Sequence, residues 1–189
     1  MLNDDVRREI WRKILHMGVI AALPIAALSK GILVLVIFGM AILYLSHEAY
    51  VQNGGSVPVL TEAIRRAKRL REREIAHAPF LMGAGVLVTV LIFPLKPAAA
   101  GLLQLAFADM AAALVGILWG KRKLPHSPGK SWEGSIAFFV ISLALMMTLY
   151  PFPVSLLLAL AGAAIESLPY PDWDNFLVPC GVAALASFF

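Results

Sequence analysis

Residues 109–135 read DMAAALVGILWGKRKLPHSPGKSWEGS. Asp109 sits inside an apolar run that passes through Gly116 and Gly120. The run then enters a cationic loop (Lys121, Arg122, Lys123, Lys130) and closes with Ser131, Glu133 and Gly134 before the next apolar run. If the run is a membrane span, Asp109 is an ionisable group in hydrocarbon, which is costly and by default marks function. Cations within reach of that carboxylate point to phosphate chemistry.

Composition decides for the membrane. Of the 189 residues 60% are apolar, and the mean hydropathy is +0.80. Long apolar stretches with few charges mark a membrane protein. The net charge of +4 does not indicate nucleic-acid binding, because the basic residues lie in short segments between apolar runs. A single cysteine, Cys180, excludes an internal disulfide and reads as a small buried hydrophobe. The polar opening residues, with no small-residue cleavage site after an early apolar core, do not read as a cleavable signal peptide.

Apolar runs fall at about 14–28, 31–47, 79–95, 98–118, 134–150, 152–168 and 175–189. They predict an all-α polytopic membrane protein of about seven helices, forming one domain over 1–189. Pro24 and Pro179 are expected to kink their helices rather than end them. Fourteen of the sixteen Lys and Arg fall in the N-terminal tail, in 65–73 and in 121–130, leaving Lys30 and Lys96 on the opposite face. The positive-inside rule then puts the N-terminus in the cytoplasm and the C-terminus outside. Thr61 to Ala76 is expected to form a short basic cytoplasmic helix between the second and third spans, starting near Thr61 and lying at lipid headgroups. Its Arg71, Arg73 or Glu74 is the alternative candidate for reaching the site.

The same alternation gathers the polar groups at one interface. His16 lies at the start of the first helix, and His47 and Glu48 end the second. Asp109 lies about two and a half turns inside the fourth, at roughly 3.6 residues per turn. Glu166 ends the sixth, and Asp172, Asp174 and Asn175 precede the seventh, where they are also candidate caps. Ala108, Ala112, Gly116 and Gly120 make a small-residue stripe that lets helices approach closely. Ser127, Pro128 and Gly129 supply the loop's turn.

Three motifs fail. Gly129-Lys130-Ser131 lacks the P-loop's earlier glycine, since Leu124 stands there. His47-Glu48 is not H-E-x-x-H, because position 51 is Val51, and the four histidines lack zinc-ligand spacing. What remains is a cationic set (Lys121, Arg122, Lys123, Lys130, with Ser131 as donor) suited to phosphate oxygens. Beside it are hard oxygen donors (Asp109, Glu166, Asp174, Asn175) suited to magnesium. Phosphoryl transfer needs little more.

The chain resembles the CTP-dependent polyprenol kinases, the family of dolichol, phytol and farnesol kinases and a CTP-dependent diacylglycerol kinase. Glu9-x-x-Arg12-Lys13-x-x-His16 matches that family's E-x-x-R-K-x-x-H. Asp109-x-x-Ala112-x-x-x-Gly116-x-x-x-Gly120-Lys121, then Lys130-Ser131-Trp132-Glu133-Gly134-Ser135, resembles its central block. Glu166 and Asp174-Asn175-x-x-x-Pro179 resemble its last element. Ile117-Leu118-Trp119 departs from it, because relatives often carry arginines there. The resemblance implies CTP as donor, magnesium as cofactor and a membrane lipid alcohol as acceptor. Separately from the match, the chemistry of these residues leads us to expect Asp109, Lys130 and Glu133 in catalysis, with Asp109, Glu166 and Asp174 at the metal and Asn175 orienting one of them. Lys121, Lys123, Lys130 and Ser131 would hold phosphates, with Lys13 and His16 supporting from the first helix. Glu133 is alternatively a cap of the fifth helix. Alternative functions are a CTP:phosphatidate cytidylyltransferase, a diacylglycerol kinase and, further off, a non-catalytic transporter, for which no internal repeat speaks.

Overall fold

The computed structural model describes residues 4–55, 57–67 and 76–189. Helix α1 (Asp4–Met17) passes through a tight 3-10 turn (Gly18–Ala21) into α2 (Ala22–Leu28), and α3 (Lys30–Gln52) follows. Pro24 has no N–H to give the Ile20 carbonyl, and the chain tightens just there while remaining helical. Ser29 starts α3 by accepting the Ile32 N–H. Then come α4 (Pro58–Ala67), α5 (Ala78–Ile92) and α6 (Leu95–Leu103). A π-turn (Gln104–Ala108) joins α6 to α7 (Asp109–Leu118). The strands β1 (Lys123–Leu124) and β2 (Ser127–Ser131) precede α8 (Trp132–Met146), α9 (Phe152–Glu166) and α10 (Asp174–Ala186).

Each expected apolar run overlaps a helical segment. Among the described residues, three segments are long and apolar enough to cross a membrane: Glu9–Leu28, Lys30–Gln52 and Leu95–Leu118. The other four, α5, α8, α9 and α10, are apolar helices of 10–17 residues. Helix α3 carries exposed Leu35, Phe38, Met40 and Leu43, and its buried residues are Leu33, His47 and Glu48. An apolar helix with so little of its surface packed is compatible with a lipid surround.

The rod of α6, π-turn and α7 lies at the centre. One apolar cluster packs its Leu102, Leu105 and Ala106 against α2, α3 and α5 through Ala22, Leu33, Val86 and Val90. A second packs Ala100, Ala108 and Ala112 against α8, α9 and α10 through Phe138, Leu158, Val178 and Val182. Close approach between helices is literal at several glycines. A Cβ on Gly101 would stand 2.2 Å from the Pro179 carbonyl oxygen, and one on Gly134 would stand 2.8 Å from that of Ala112. The small-residue stripe thus serves helix crossing. Pro179 stays inside α10, as expected.

Three local expectations are corrected. The basic helix starts at Pro58, not near Thr61, because proline suits a first helical position. The Thr61 hydroxyl instead accepts the Val57 N–H and meets His47 Nε2 at 3.0 Å. Residues 68–75, with Arg71, Arg73 and Glu74, lie outside the described residues. The fold is not purely helical either, since the loop after α7 is a two-stranded antiparallel hairpin turning at Pro125–His126. Cys180 is only partly buried, with its Sγ 3.5 Å from Thr89 Oγ1.

Candidate active site

The hairpin is irregular, and the irregularity positions a lysine. Lys123 pairs with Ser131 but Leu124 pairs with Ser127, so 128–130 bulge out of the ladder. Pro128, which cannot donate to a ladder, sits in that bulge. Bulges re-aim side chains, and this one sends Lys130 to the end of α9. Its Nζ lies 3.1 Å from Glu166 Oε1 and 3.0 Å from Asp174 Oδ2, and it also donates to the Glu166 main-chain carbonyl. That carbonyl is one of the last in α9, where a helix leaves acceptors unfilled and favours cations. His126 Nε2 reaches the next carbonyl, of Ser167, at 3.1 Å. Burial works against the charge on Lys130, but Asp174 and Glu166 outweigh it and hold its pKa above the ordinary lysine value.

A second ion pair faces the first. Lys13 from α1 is bonded to Asp109 Oδ2, and both side chains are buried. The π-turn ends at Ala108, so Asp109 opens α7 on the side facing α1. Arg12, one residue earlier, pairs with Glu9 and lies 3.9 Å from Asp172 Oδ1. Asp172 has a left-handed backbone (φ 66°), which aspartate tolerates better than most side chains. Behind these pairs, His16 Nδ1 meets the Arg12 carbonyl at 2.8 Å and Nε2 meets the Asn175 amide at 3.0 Å. Turning that amide by half a turn lets a neutral His16 donate from Nδ1 to the carbonyl and accept at Nε2 from Asn175 Nδ2.

These groups enclose a cavity of about 920 Å³. Lys13, Asp109, Lys123, Lys130, Glu166 and Asp174 line it, as does Ser131. Ser131 Oγ accepts the Gly134 N–H at 3.1 Å as the N-cap of α8, and its own proton remains available to a ligand. Apolar surface completes the wall: Ala113 and Ile117 on one side, Leu168, Pro169 and Tyr170 on the other.

Other expected residues stand elsewhere. Lys121 is exposed and outside the lining. His16 and Asn175 form the tie behind the wall. Glu133 is also off the lining, and its carboxylate accepts the Arg122 N–H at 3.2 Å, fixing the start of the hairpin to α8. Bonds from its own N–H and those of Arg122 and Lys121 keep its pKa below the ordinary glutamate value. Sequence reasoning gave no site role to Glu9, Arg12 or Tyr170, and placed Asp172 among the interface polar groups and candidate caps without a role. The i,i+3 spacing of Glu9 and Arg12 was the available signal.

Among the described residues no group of three or more His, Cys, Asp or Glu is placed to hold a metal by itself. Magnesium needs only one or two carboxylates when phosphates complete its shell. Asp109 and Glu166, on facing sides of the cavity, are carboxylates of the kind that could share a metal whose shell phosphates complete.

Fold and site define a helical membrane-type protein with a charged, lysine–carboxylate cavity beside an apolar wall. The sequence profile of the cytidylyltransferase family matches residues 17–169, and the chain belongs to that family. A phytol kinase of Synechocystis sp. (strain ATCC 27184 / PCC 6803 / Kazusa) is 35% identical over 99 residues, covering 47% of this chain and 42% of the relative. Phytol kinase 1, chloroplastic, of Arabidopsis thaliana is 27% identical over 161 residues, covering 73% and 53%. These relatives bear out the kinship with CTP-dependent polyprenol and phytol kinases expected from the motifs. The chain spans about half the length of the curated relatives it matches. No solved structure matches it.

Proposed function

We propose that this chain phosphorylates an isoprenoid alcohol of the membrane, with CTP as donor, at the cytoplasmic face. The observation that carries the reading is the cavity in which Lys13–Asp109 and Lys130–Glu166–Asp174 face each other beside an apolar wall. The phytol kinase relatives supply the reaction class. A long apolar alcohol stays in the bilayer and brings its hydroxyl along Ile117 and Leu168, while the nucleotide enters past the hairpin, where exposed Lys121 and Arg122 steer an anion.

The alcohol oxygen attacks the γ-phosphorus, the bond to the β-phosphate oxygen breaks, and CDP leaves. Asp109 accepts the hydroxyl proton or holds the metal. Lys130, Lys123 and Ser131 hold phosphate oxygens, and Lys13 balances the charge that develops near Asp109. Magnesium, held by Asp109 and Glu166 with Asp174 nearby, would neutralise charge on the transferring phosphates. Asn175 and His16 brace Asp174 and α1, and Glu133 fixes the hairpin.

A second reading has one observation in its favour, the description of the matching profile as a cytidylyltransferase family. There a lipid phosphate would attack the α-phosphorus and release pyrophosphate. Purified protein in detergent with magnesium and γ-labelled CTP separates the two. Label is expected in the lipid fraction with phytol, farnesol or geranylgeraniol. Pyrophosphate release that requires phosphatidic acid, with no lipid label, would replace the kinase by the cytidylyltransferase.

A further inference from the structure

The ammonium of Lys130 has three protons to donate, and all three are engaged: by Asp174 Oδ2 at 3.0 Å, by Glu166 Oε1 at 3.1 Å and by the Glu166 carbonyl. Asp109 and Lys13 are likewise joined, both buried. Glu9 and Asp172 answer Arg12. Five carboxylates and four cations (these residues with Lys123) line the cavity, a formal excess of one negative charge. With most of its charges paired off internally, such a wall offers only a weak net field to either reactant alone. A bare divalent cation would have to compete with Lys13 for Asp109, leaving that buried ammonium without its carboxylate, which is strongly unfavourable, and with Lys130 for Glu166. A metal-free triphosphate would take the lysines and leave carboxylates facing phosphate oxygens. When both arrive, the metal takes the carboxylates, the phosphates take the lysines, and every charge keeps a partner.

We propose that Lys13 and Lys130 are internal counter-ions that shield the cavity's carboxylates from a free divalent cation, so that metal and triphosphate bind tightly only together. The inference rests on the phosphoryl-transfer reading and adds to it a binding rule that magnesium-dependent transfer does not by itself require. By linkage, each ligand must raise the affinity of the other by one and the same factor.

The test uses the full chain in detergent, Mn²⁺ as a paramagnetic probe read by the free-ion signal, and β,γ-methylene CTP read by calorimetry. Wild-type protein is expected to bind each weakly alone and to show a mutual enhancement of about tenfold or more. Lys13→Met is expected to bind Mn²⁺ without nucleotide, through the released Asp109, and to lose most of that enhancement. Mn²⁺ binding to the wild type equally well with and without the analogue would overturn the rule while leaving the kinase reading intact. So would an undiminished enhancement in a folded Lys13→Met protein. If that variant does not fold, the wild-type factor decides alone. Failure of the analogue to bind in any combination would remove the functional reading and the rule together.

Discussion

Asp109 carries the largest consequence for a single substitution. Asp109→Asn removes the candidate proton acceptor and metal ligand and is expected to lower lipid phosphorylation by about 10²–10⁴-fold. It also leaves the Lys13 ammonium buried without its carboxylate, which costs about 3–5 kcal/mol. Lys13→Met combined with Asp109→Asn removes both charges. The double variant is expected to recover much of the thermal stability lost by Asp109→Asn, read in detergent, and none of the activity. Recovery of activity would mean that Asp109 serves only to neutralise Lys13. Part of this was legible in the chain, because a carboxylate in an apolar run announces itself. Its partner was not, since Lys13 lies 96 residues away and any of several cations could have met it.

At the scale of elements, the α7–α8 crossing sets the site's geometry. Ser131 and Gly134 at the start of α8 lie against the small-residue face of α7, with the ideal Cβ of Gly134 2.8 Å from the Ala112 carbonyl oxygen. Gly134→Ala forces the helices apart or strains the cap, and is expected to destabilise by about 1–3 kcal/mol. Because the same crossing places Ser131 and the hairpin, KM for CTP should rise with it. An unchanged melting temperature and KM would show that the crossing is looser than its geometry. The stripe was readable as a packing face from its spacing of four. The bulge at 128–130 was not, because turn chemistry at Ser127, Pro128 and Gly129 fits a simple turn equally well. Only the pairing of Lys123 with Ser131 and Leu124 with Ser127 puts the turn at Pro125–His126.

At the scale of the whole molecule, the proposed function requires the cavity to open to the cytoplasm, in line with the positive-inside expectation that the hairpin lies on that side. In a Cys180→Ala background, Lys121→Cys is therefore expected to react with a membrane-impermeant maleimide in inside-out vesicles and to be protected in right-side-out ones. The reverse pattern would invert the proposed topology. The sequence by itself determined that the chain is helical and apolar enough for a bilayer, where those apolar runs lie, and which charged residues stand between them. Hydropathy and charge spacing are local quantities, and a chain carries them openly. The tertiary structure alone decided which charges meet. It joined Lys13 to Asp109 and Lys130 to Glu166 and Asp174, set His16 and Asn175 behind the wall, and moved Glu133 off it. Those pairings depend on a π-turn, a bulge and helix crossings that bring distant segments within a few ångströms, and no local pattern encodes such distances.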